Sequence, residues 1–155
     1  MSDFEREIVN CLNRFFKTRH MQGFAYRPRQ QKPAGRTIGI LVDSLNPKYN
    51  LAIECKSIID KKLYFSQHFP AAKNNLHQVD AVAEFLAATG RAGYLALEFR
   101  QEPGTTSEAF LLPWTVVVSH FRENKGISIG DARDGITLPR SKAGYVLEDI
   151  GPSLK

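Results

Sequence analysis

An apolar strand that runs directly into two opposite charges is the feature that most limits the folds open to this sequence. Residues 51–57 read LAIECKS, so the uncharged run ends at Glu54 and Lys56 follows two positions later. Side chains two apart on a strand point to the same face of a sheet. The sequence therefore predicts that Glu54 and Lys56 lie side by side at the edge of a sheet.

Helical and strand-like patterns alternate along the rest of the chain. Helices are predicted over residues 2–17, roughly 71–89 and 115–121, from apolar residues at helical spacing. A short strand begins at residue 23, two strands flank an Asn46–Pro47 turn within residues 37–57, and two more cover residues 92–99 and 108–114. The order α-β-β-β-α-β-β-α predicts an α/β fold with a mixed central β-sheet flanked by helices. Residues from 123 onward are polar and glycine-rich, with one candidate strand at 144–149.

Length and composition limit the classes of protein to which this chain can belong. The 155 residues suit one domain with its own core, and neither a linker nor a repeat divides them. No stretch approaches the ~20 apolar residues of a membrane span, and the first residues lack the apolar region of a signal peptide. With only Cys11 and Cys55, we expect no disulfide framework, no membrane partner, and a cytoplasmic or nucleoid-associated location.

Positive charge is concentrated near the start of the chain. The net charge is +5, and no acidic residue lies between Ile8 and Val42. The basic residues in this window are Arg14, Lys17, Arg19, Arg27, Arg29, Lys32 and Arg36. Such a block indicates a polyanionic partner, because each cation placed on a phosphate releases condensed counterions; a solvated basic surface gives the same pattern. Phe24 and Tyr26 within the block either stack on bases or pack in a strand core.

A carboxylate beside an ammonium group at a strand end is suited to hydrolysis. Glu54 could hold a hard cation such as Mg²⁺ and leave positions for water and a phosphate. Lys56 could orient the attacking water or neutralise charge that develops on the phosphoryl oxygens. An acid followed by E-x-K after two strands is the arrangement of metal-dependent phosphodiester hydrolysis. The same short pattern also arises as a plain surface ion pair.

Four segments of the chain, one of which contains the E-x-K motif, form a wider pattern. They are FEREIVNCL at residues 4–12, LAIECKS at 51–57, HQVDAVAEFLAATGRAGYLALEF at 77–99 and FLLPW at 110–114. In this order they resemble the archaeal Hjc and bacterial RecU Holliday junction resolvases of the PD-(D/E)xK nuclease superfamily, over roughly residues 3–121. The resemblance implies one nuclease domain with a restriction-endonuclease-like core and a C-terminal extension at 122–155, and is compatible with a phage or archaeal origin. It further implies a homodimer that binds branched DNA, a four-way junction, and nicks two strands symmetrically with Mg²⁺ or Mn²⁺.

The resemblance also assigns roles to single residues. Glu54 matches the metal-binding acid of E-x-K, and Lys56 matches its catalytic lysine. Glu5 matches a first-helix glutamate that supports the metal, although its spacing from Ser2 is also that of a helix capping box. Gln78 matches a glutamine at the start of the helix that faces the site, with a catalytic role; the alternative is a solvated residue at a helix start.

The first acid of the family pattern does not match. An aspartate should face Glu54 across the hairpin, and folding residues 37–54 about their turn puts Gly39 there. Asp43 lies four residues nearer the turn, ~13 Å along the strand, whereas liganding oxygens sit ~2 Å from Mg²⁺. Either a bulge or another register brings Asp43 in as a metal ligand, or the acid of position 39 is lost and this chain is inactivated. The hairpin geometry favours the second.

Other side chains are expected along the path of the DNA. The candidates are Arg27, Arg29, Lys32, Arg36, Lys61, Lys62, Ser66 and Gln67. The sequence offers no recognition helix, so we expect contacts to the backbone and recognition of junction shape. Two other functions stay open, namely a branched-DNA-binding protein without catalysis and another PD-(D/E)xK nuclease of the restriction or repair type. Trp114 and Phe121 belong either to a dimer interface or to an ordinary core.

Overall fold

The structure, a computed structural model, describes residues 3–29, 38–69, 76–101 and 106–151. Its helices are α1 (Asp3–Thr18), α2 (Phe65–His68), α3 (Gln78–Thr89), α4 (Trp114–Arg122) and α5 (Ile129–Ala132). Its strands are β1 (Gly23–Tyr26), β2 (Ile40–Ser44), β3 (Leu51–Ile58), β4 (Lys62–Leu63), β5 (Ala92–Phe99), β6 (Glu108–Pro113), β7 (Ile127–Ser128), β8 (Ile136–Leu138), β9 (Arg140–Ser141) and β10 (Gly144–Tyr145). A 3₁₀ turn at Pro47–Tyr49 joins β2 to β3. The larger elements follow the predicted order, with β4 and α2 added between β3 and α3.

Within the described residues, six strands form the central sheet in the order β1-β2-β3-β5-β6-β8. β3 and β5 run parallel over the eight residues of β3, whereas the other neighbouring pairs are antiparallel. The predicted α/β class with a mixed central sheet flanked by helices is confirmed. Because β3 and β5 lie in the middle of the sheet and are covered on both faces, they consist of nearly continuous apolar runs.

Separate apolar layers cover the two faces of this sheet. On one face, α1 packs through Ile8 against Ile53 of β3. On the other face, α3 and α4 pack around Ala52 of the same strand. We call these surfaces the α1 face and the α3 face. Because successive strand residues point to opposite faces, Glu54 and Lys56 lie with Ala52 on the α3 face.

The helices of the α3 face differ in detail from the prediction. The described part of α3 begins at Gln78 instead of near residue 71, and residues 71–75 lie outside the described ranges. It ends at Thr89 and is followed by Gly90, whose φ of +74° is readily adopted by glycine. Trp114 at the start of α4 is 3% exposed, and its Nε1 donates to the Val79 carbonyl at 3.1 Å. Of the two explanations for Trp114, the ordinary core is the one that its burial supports.

No helix in the described ranges is long and apolar enough to cross a membrane. Cys11 and Cys55 are both free. Burial raises the pKa of the Cys11 thiol to about 11, so Cys11 stays protonated at neutral pH and acts as a small apolar residue in the core.

Residues beyond α4 contribute to the core. β8 pairs with β6 and widens the central sheet. Tyr145 in β10 is 1% exposed, and Leu147 and Ile150 are also buried on the α1 face. The candidate strand at 144–149 is reduced to Gly144–Tyr145. The sequence predicted only one strand in this segment, because its strands are too short to show a periodic pattern.

The buried carboxylate of Glu98 connects the segment beyond α4 to β3 and β5. Glu98 is 6% exposed and accepts hydrogen bonds from Ser57 Oγ and the Tyr145 hydroxyl, each at 2.6 Å. Burial and the bond to Glu98 raise the pKa of Tyr145 well above its usual range. Both oxygens of Glu98 therefore have a protein donor.

Tyr145→Phe is expected to lower the free energy of unfolding by about 1–3 kcal/mol, because it leaves a buried carboxylate oxygen without its donor. Urea denaturation measures the loss. Tyr64→Phe is the matched control, since Tyr64 is 44% exposed and its change should stay within ~0.5 kcal/mol. Equal effects of the two substitutions would contradict this role for Tyr145.

Candidate active site

Glu54 lies near the end of the apolar run of β3 and is 8% exposed. Gln78, the first residue of α3, donates from Nε2 to Glu54 Oε2 at 2.5 Å. His77 fixes this helix start, because its Nδ1 accepts the Val79 backbone N–H at 3.0 Å. The structure thus brings together Glu54 and Gln78, two residues that the sequence assigned to the site.

Lys56 projects from the same face and lies against an aromatic ring. Its Nζ is 4.6 Å from the centroid of the Phe69 ring, within the range of a cation–π contact. Phe69 is buried and stacks on Phe65 of α2 at 5.5 Å. The sequence showed an aromatic-rich loop here but not its contact with Lys56, which depends on how residues 62–69 fold back over β3.

The hairpin register is the one expected from the sequence. Ile40 pairs with Ile53, and Leu41 and Val42 pair with the two preceding residues of β3. Gly39 is the next residue beyond Ile40 and Glu54 the next beyond Ile53, so continuation of the ladder puts them opposite each other. The ladder itself ends at the Ile40–Ile53 pair; if it continued for one more residue, the position facing Glu54 would carry no side chain.

Asp43 is held away from Glu54, which corrects the alternative in which it joins Glu54 around a metal ion. Its position along β2 is four residues from Gly39, ~13 Å at ~3.3 Å per residue. Asp43 accepts the Tyr26 hydroxyl at 2.8 Å and Arg91 Nη2 at 2.7 Å. The Tyr26 bond and then the Arg91 guanidinium lower the pKa of Asp43 below its usual range, against the effect of burial. No sequence signal pointed to Arg91, which lies 48 residues from its partner.

Glu5 and Arg27 contact each other, although we expected different roles for them. Glu5 in α1 is 6% exposed, and its Oε1 lies 2.6 Å from Arg27 Nε. This pairing engages both the expected metal-supporting acid and one of the expected DNA contacts. The alternative capping partner, Ser2, lies outside the described residues.

The residues expected to hold Mg²⁺ or Mn²⁺ are not all grouped together in the described part of the chain. Across the ranges 3–29, 38–69, 76–101 and 106–151, no three His, Cys, Asp or Glu side chains are grouped so that they could hold a metal ion. The predicted ligand set of Glu5, Glu54 and Asp43 is therefore not assembled. A site of this kind needs several oxygen ligands around the ion, and position 39 contributes none from a side chain.

Most other residues expected to contact DNA are exposed where the structure describes them. Arg29, Lys61, Ser66 and Gln67 are exposed, and Lys62 is half-buried in β4. Ser66 and Gln67 belong to α2, which immediately precedes the Phe69 that contacts Lys56. Lys32 and Arg36 lie outside the described residues.

Comparison with known proteins identifies the fold. No family model matches the chain, and no curated protein matches it significantly. Among solved structures, Hjc from Archaeoglobus fulgidus, a Holliday junction resolvase from an archaeal hyperthermophile, is similar with a TM-score of 0.54 and 20% sequence identity. The match covers 87% of this chain and 92% of that chain. This chain has the fold of a Holliday junction resolvase.

The structural similarity to Hjc agrees with the resemblance that the four sequence segments show. The order and arrangement of elements expected from the four sequence segments are confirmed. The match to Hjc also spans a larger share of the chain than residues 3–121, in keeping with a C-terminal segment that packs into the core.

Proposed function

We propose that this protein binds four-way DNA junctions as a homodimer and is a structure-selective endonuclease whose hydrolytic site lacks one acid. The observation that carries this proposal is the position of Glu54 and Lys56 on the α3 face, beside Gln78, in a fold shared with a Holliday junction resolvase. A buried carboxylate with a half-buried ammonium group on the same face of the sheet is a candidate site for a polar, charged ligand such as a phosphodiester.

The side chains at this site supply part of a phosphodiester hydrolysis. Gln78 holds Glu54 in one orientation, so the carboxylate is preorganised when a phosphate approaches. Lys56 is kept in place by the Phe69 ring and can neutralise charge that develops on a phosphoryl oxygen. With Gly39 opposite Glu54, a bound Mg²⁺ would lack one carboxylate ligand, so any nicking is expected to be slow.

Charge supports DNA as the partner. The net charge of +5 and the exposed side chains of Arg29 and Lys61 favour contacts to phosphates, which carry no sequence information. Junction shape is then the feature recognised. A four-way junction has approximate twofold symmetry, which a homodimer matches with one site for each of two strands.

The test is strand cleavage of an end-labelled four-way junction beside a linear duplex of the same sequence, with Mg²⁺. We expect slow nicks that are confined to the junction and absent with Lys56→Ala. Equal cleavage of junction and duplex would contradict the proposal and indicate another type of nuclease. Nicks that persist in Lys56→Ala would contradict the role of Lys56.

A second candidate function is junction binding without hydrolysis. The observation that favours it is the β2–β3 register, in which Gly39, without a side chain, is the residue next to the Ile40–Ile53 pair on the side of Glu54. Under this alternative, the natural chain retards the junction in a gel and leaves it intact at every Mg²⁺ concentration, and Lys56→Ala binds equally well. A chain that binds neither junction nor duplex would exclude both candidates.

A further inference from the structure

Two aromatic side chains of β1 lie on the α3 face, outside the cover of α3 and α4. Among the described strands, β1 is at the edge of the central sheet. Tyr26 pairs with Leu41, which in turn pairs with Ala52 of the α3 face. Alternation along β1 puts Phe24 on this face as well and turns Ala25 towards the α1 face, where it is buried.

Phe24 and Tyr26 form a stacked pair in which Phe24 is exposed and Tyr26 is half-buried. The Phe24 side chain is 61% exposed. The two ring centroids are 6.0 Å apart and the ring planes differ by 16°. An open depression of about 350 Å³ beside Phe24 is bordered by Asp43 and Leu45. Of the two explanations offered by the sequence, packing in a strand core does not apply to Phe24.

Hydrogen bonds fix this pair to the sheet. The Tyr26 hydroxyl donates to Asp43 Oδ2, and Arg91 Nη2 donates to Asp43 Oδ1. Arg91 Nη1 also donates to the Val42 carbonyl at 2.8 Å. The ring of Tyr26 is thereby held in place, and the charge of Asp43 is offset by the guanidinium beside it, so the surface does not repel a polyanion.

The pair lies close to the candidate active site on the same face. Tyr26 is two strands and two residues from Glu54 in the sheet, which gives a Cα–Cα distance of about 12 Å from ordinary strand spacings. A stacked nucleic-acid strand rises ~3.4 Å per nucleotide. About three to four nucleotides therefore separate a phosphate at Glu54 from a base at Tyr26.

We infer that Phe24 and Tyr26 form a stacking platform for an unpaired base of the bound DNA, a few nucleotides from the phosphate at Glu54 and Lys56. The inference rests on the proposed function and names the part of a junction that this face recognises. Arg29, exposed and three residues after Tyr26, supplies positive charge for the adjoining phosphates. Stacking on aromatic rings is tolerant of sequence because every base has a π-face, as recognition of junction shape requires.

The test compares Phe24→Ala with the natural chain on a four-way junction that carries 2-aminopurine at the branch. We expect roughly tenfold weaker binding and loss of 2-aminopurine quenching, whereas Phe24→Trp keeps both. Leu45→Ala is the matched control, since Leu45 is 81% exposed and borders the same depression but has no ring; its affinity should stay within about twofold. Both truncations remove exposed side chains, so urea midpoints should stay unchanged.

Three results would overturn the inference. They are unchanged binding by Phe24→Ala, equal losses from Phe24→Ala and Leu45→Ala, and a Phe24→Ala protein that sediments as a monomer while the natural chain is a dimer. The last would make this surface a contact between two copies. Failure of the proposed function is distinct: the natural chain would then bind a single-stranded oligonucleotide through Phe24 but show no preference for the junction. A natural chain that binds neither DNA would overturn both.

Discussion

Gly39→Asp is expected to nick a four-way junction at least about 100-fold faster than the natural chain in Mg²⁺. The substitution puts a carboxylate opposite Glu54, where continuation of the β2–β3 ladder sets position 39, and supplies the acid that an ion between two strands requires. The expected gain equals the factor by which the rate usually falls when one preorganised group at a reacting centre is removed.

Two companion variants make this result specific. Gly39→Asn has almost the same size as Gly39→Asp without the charge, and it should leave the rate unchanged. Combining Gly39→Asp with Lys56→Ala should remove the gain. Mg²⁺ should also raise the thermal midpoint of Gly39→Asp more than that of the natural chain, since a ligand stabilises the state that binds it. A gain shared by Gly39→Asn would show that the carboxylate is not its cause.

Leu97→Ala is expected to lower the free energy of unfolding by about 2–5 kcal/mol, the usual cost of a cavity left by a buried leucine. Leu97 is fully buried in β5, on the α3 face. It pairs in register with Lys56, so the cavity opens directly beside the candidate active site. Urea denaturation with a linear extrapolation measures the loss.

Val116→Ala serves as the control for this prediction. Val116 is 37% exposed on α4, and its truncation should cost less than ~0.5 kcal/mol. A loss below ~1 kcal/mol for Leu97→Ala would mean that α3 and α4 are packed less closely on β5 than the structure has them.

Local patterns predicted the hairpin and the shared face of Glu54 and Lys56 correctly, but the two residues lie within the central strand β3 instead of at the edge of the sheet. The Asn46–Pro47 turn and the lengths of its two strands determine the register, because a shift by one residue would turn the apolar side chains to the wrong face. The period of two along a strand is enough to put Glu54 and Lys56 on one face. Both inferences depend only on residues that are near each other in the chain.

Contacts between distant segments could not be read from the sequence. Glu5 pairs with Arg27, and Asp43 pairs with Arg91. The sequence is compatible with several roles for each of these charged side chains, and the fold determines which of them lie close enough to pair. Glu98 lies within an apolar strand that looked uniform, and its partner Tyr145 comes from a segment without periodicity. Propensity and period describe one element at a time, whereas these pairs arise from packing between elements.

The measurement that tests the central claim most directly is the affinity of the natural chain for a four-way junction against a linear duplex of the same sequence. Fluorescence anisotropy at one fixed salt concentration, without Mg²⁺, keeps binding separate from hydrolysis, and salt must be held constant because phosphate contacts dominate affinity. We expect at least about 100-fold tighter binding to the junction. Equal affinities for the two DNAs would contradict recognition of branched DNA, whatever the state of the site at Glu54.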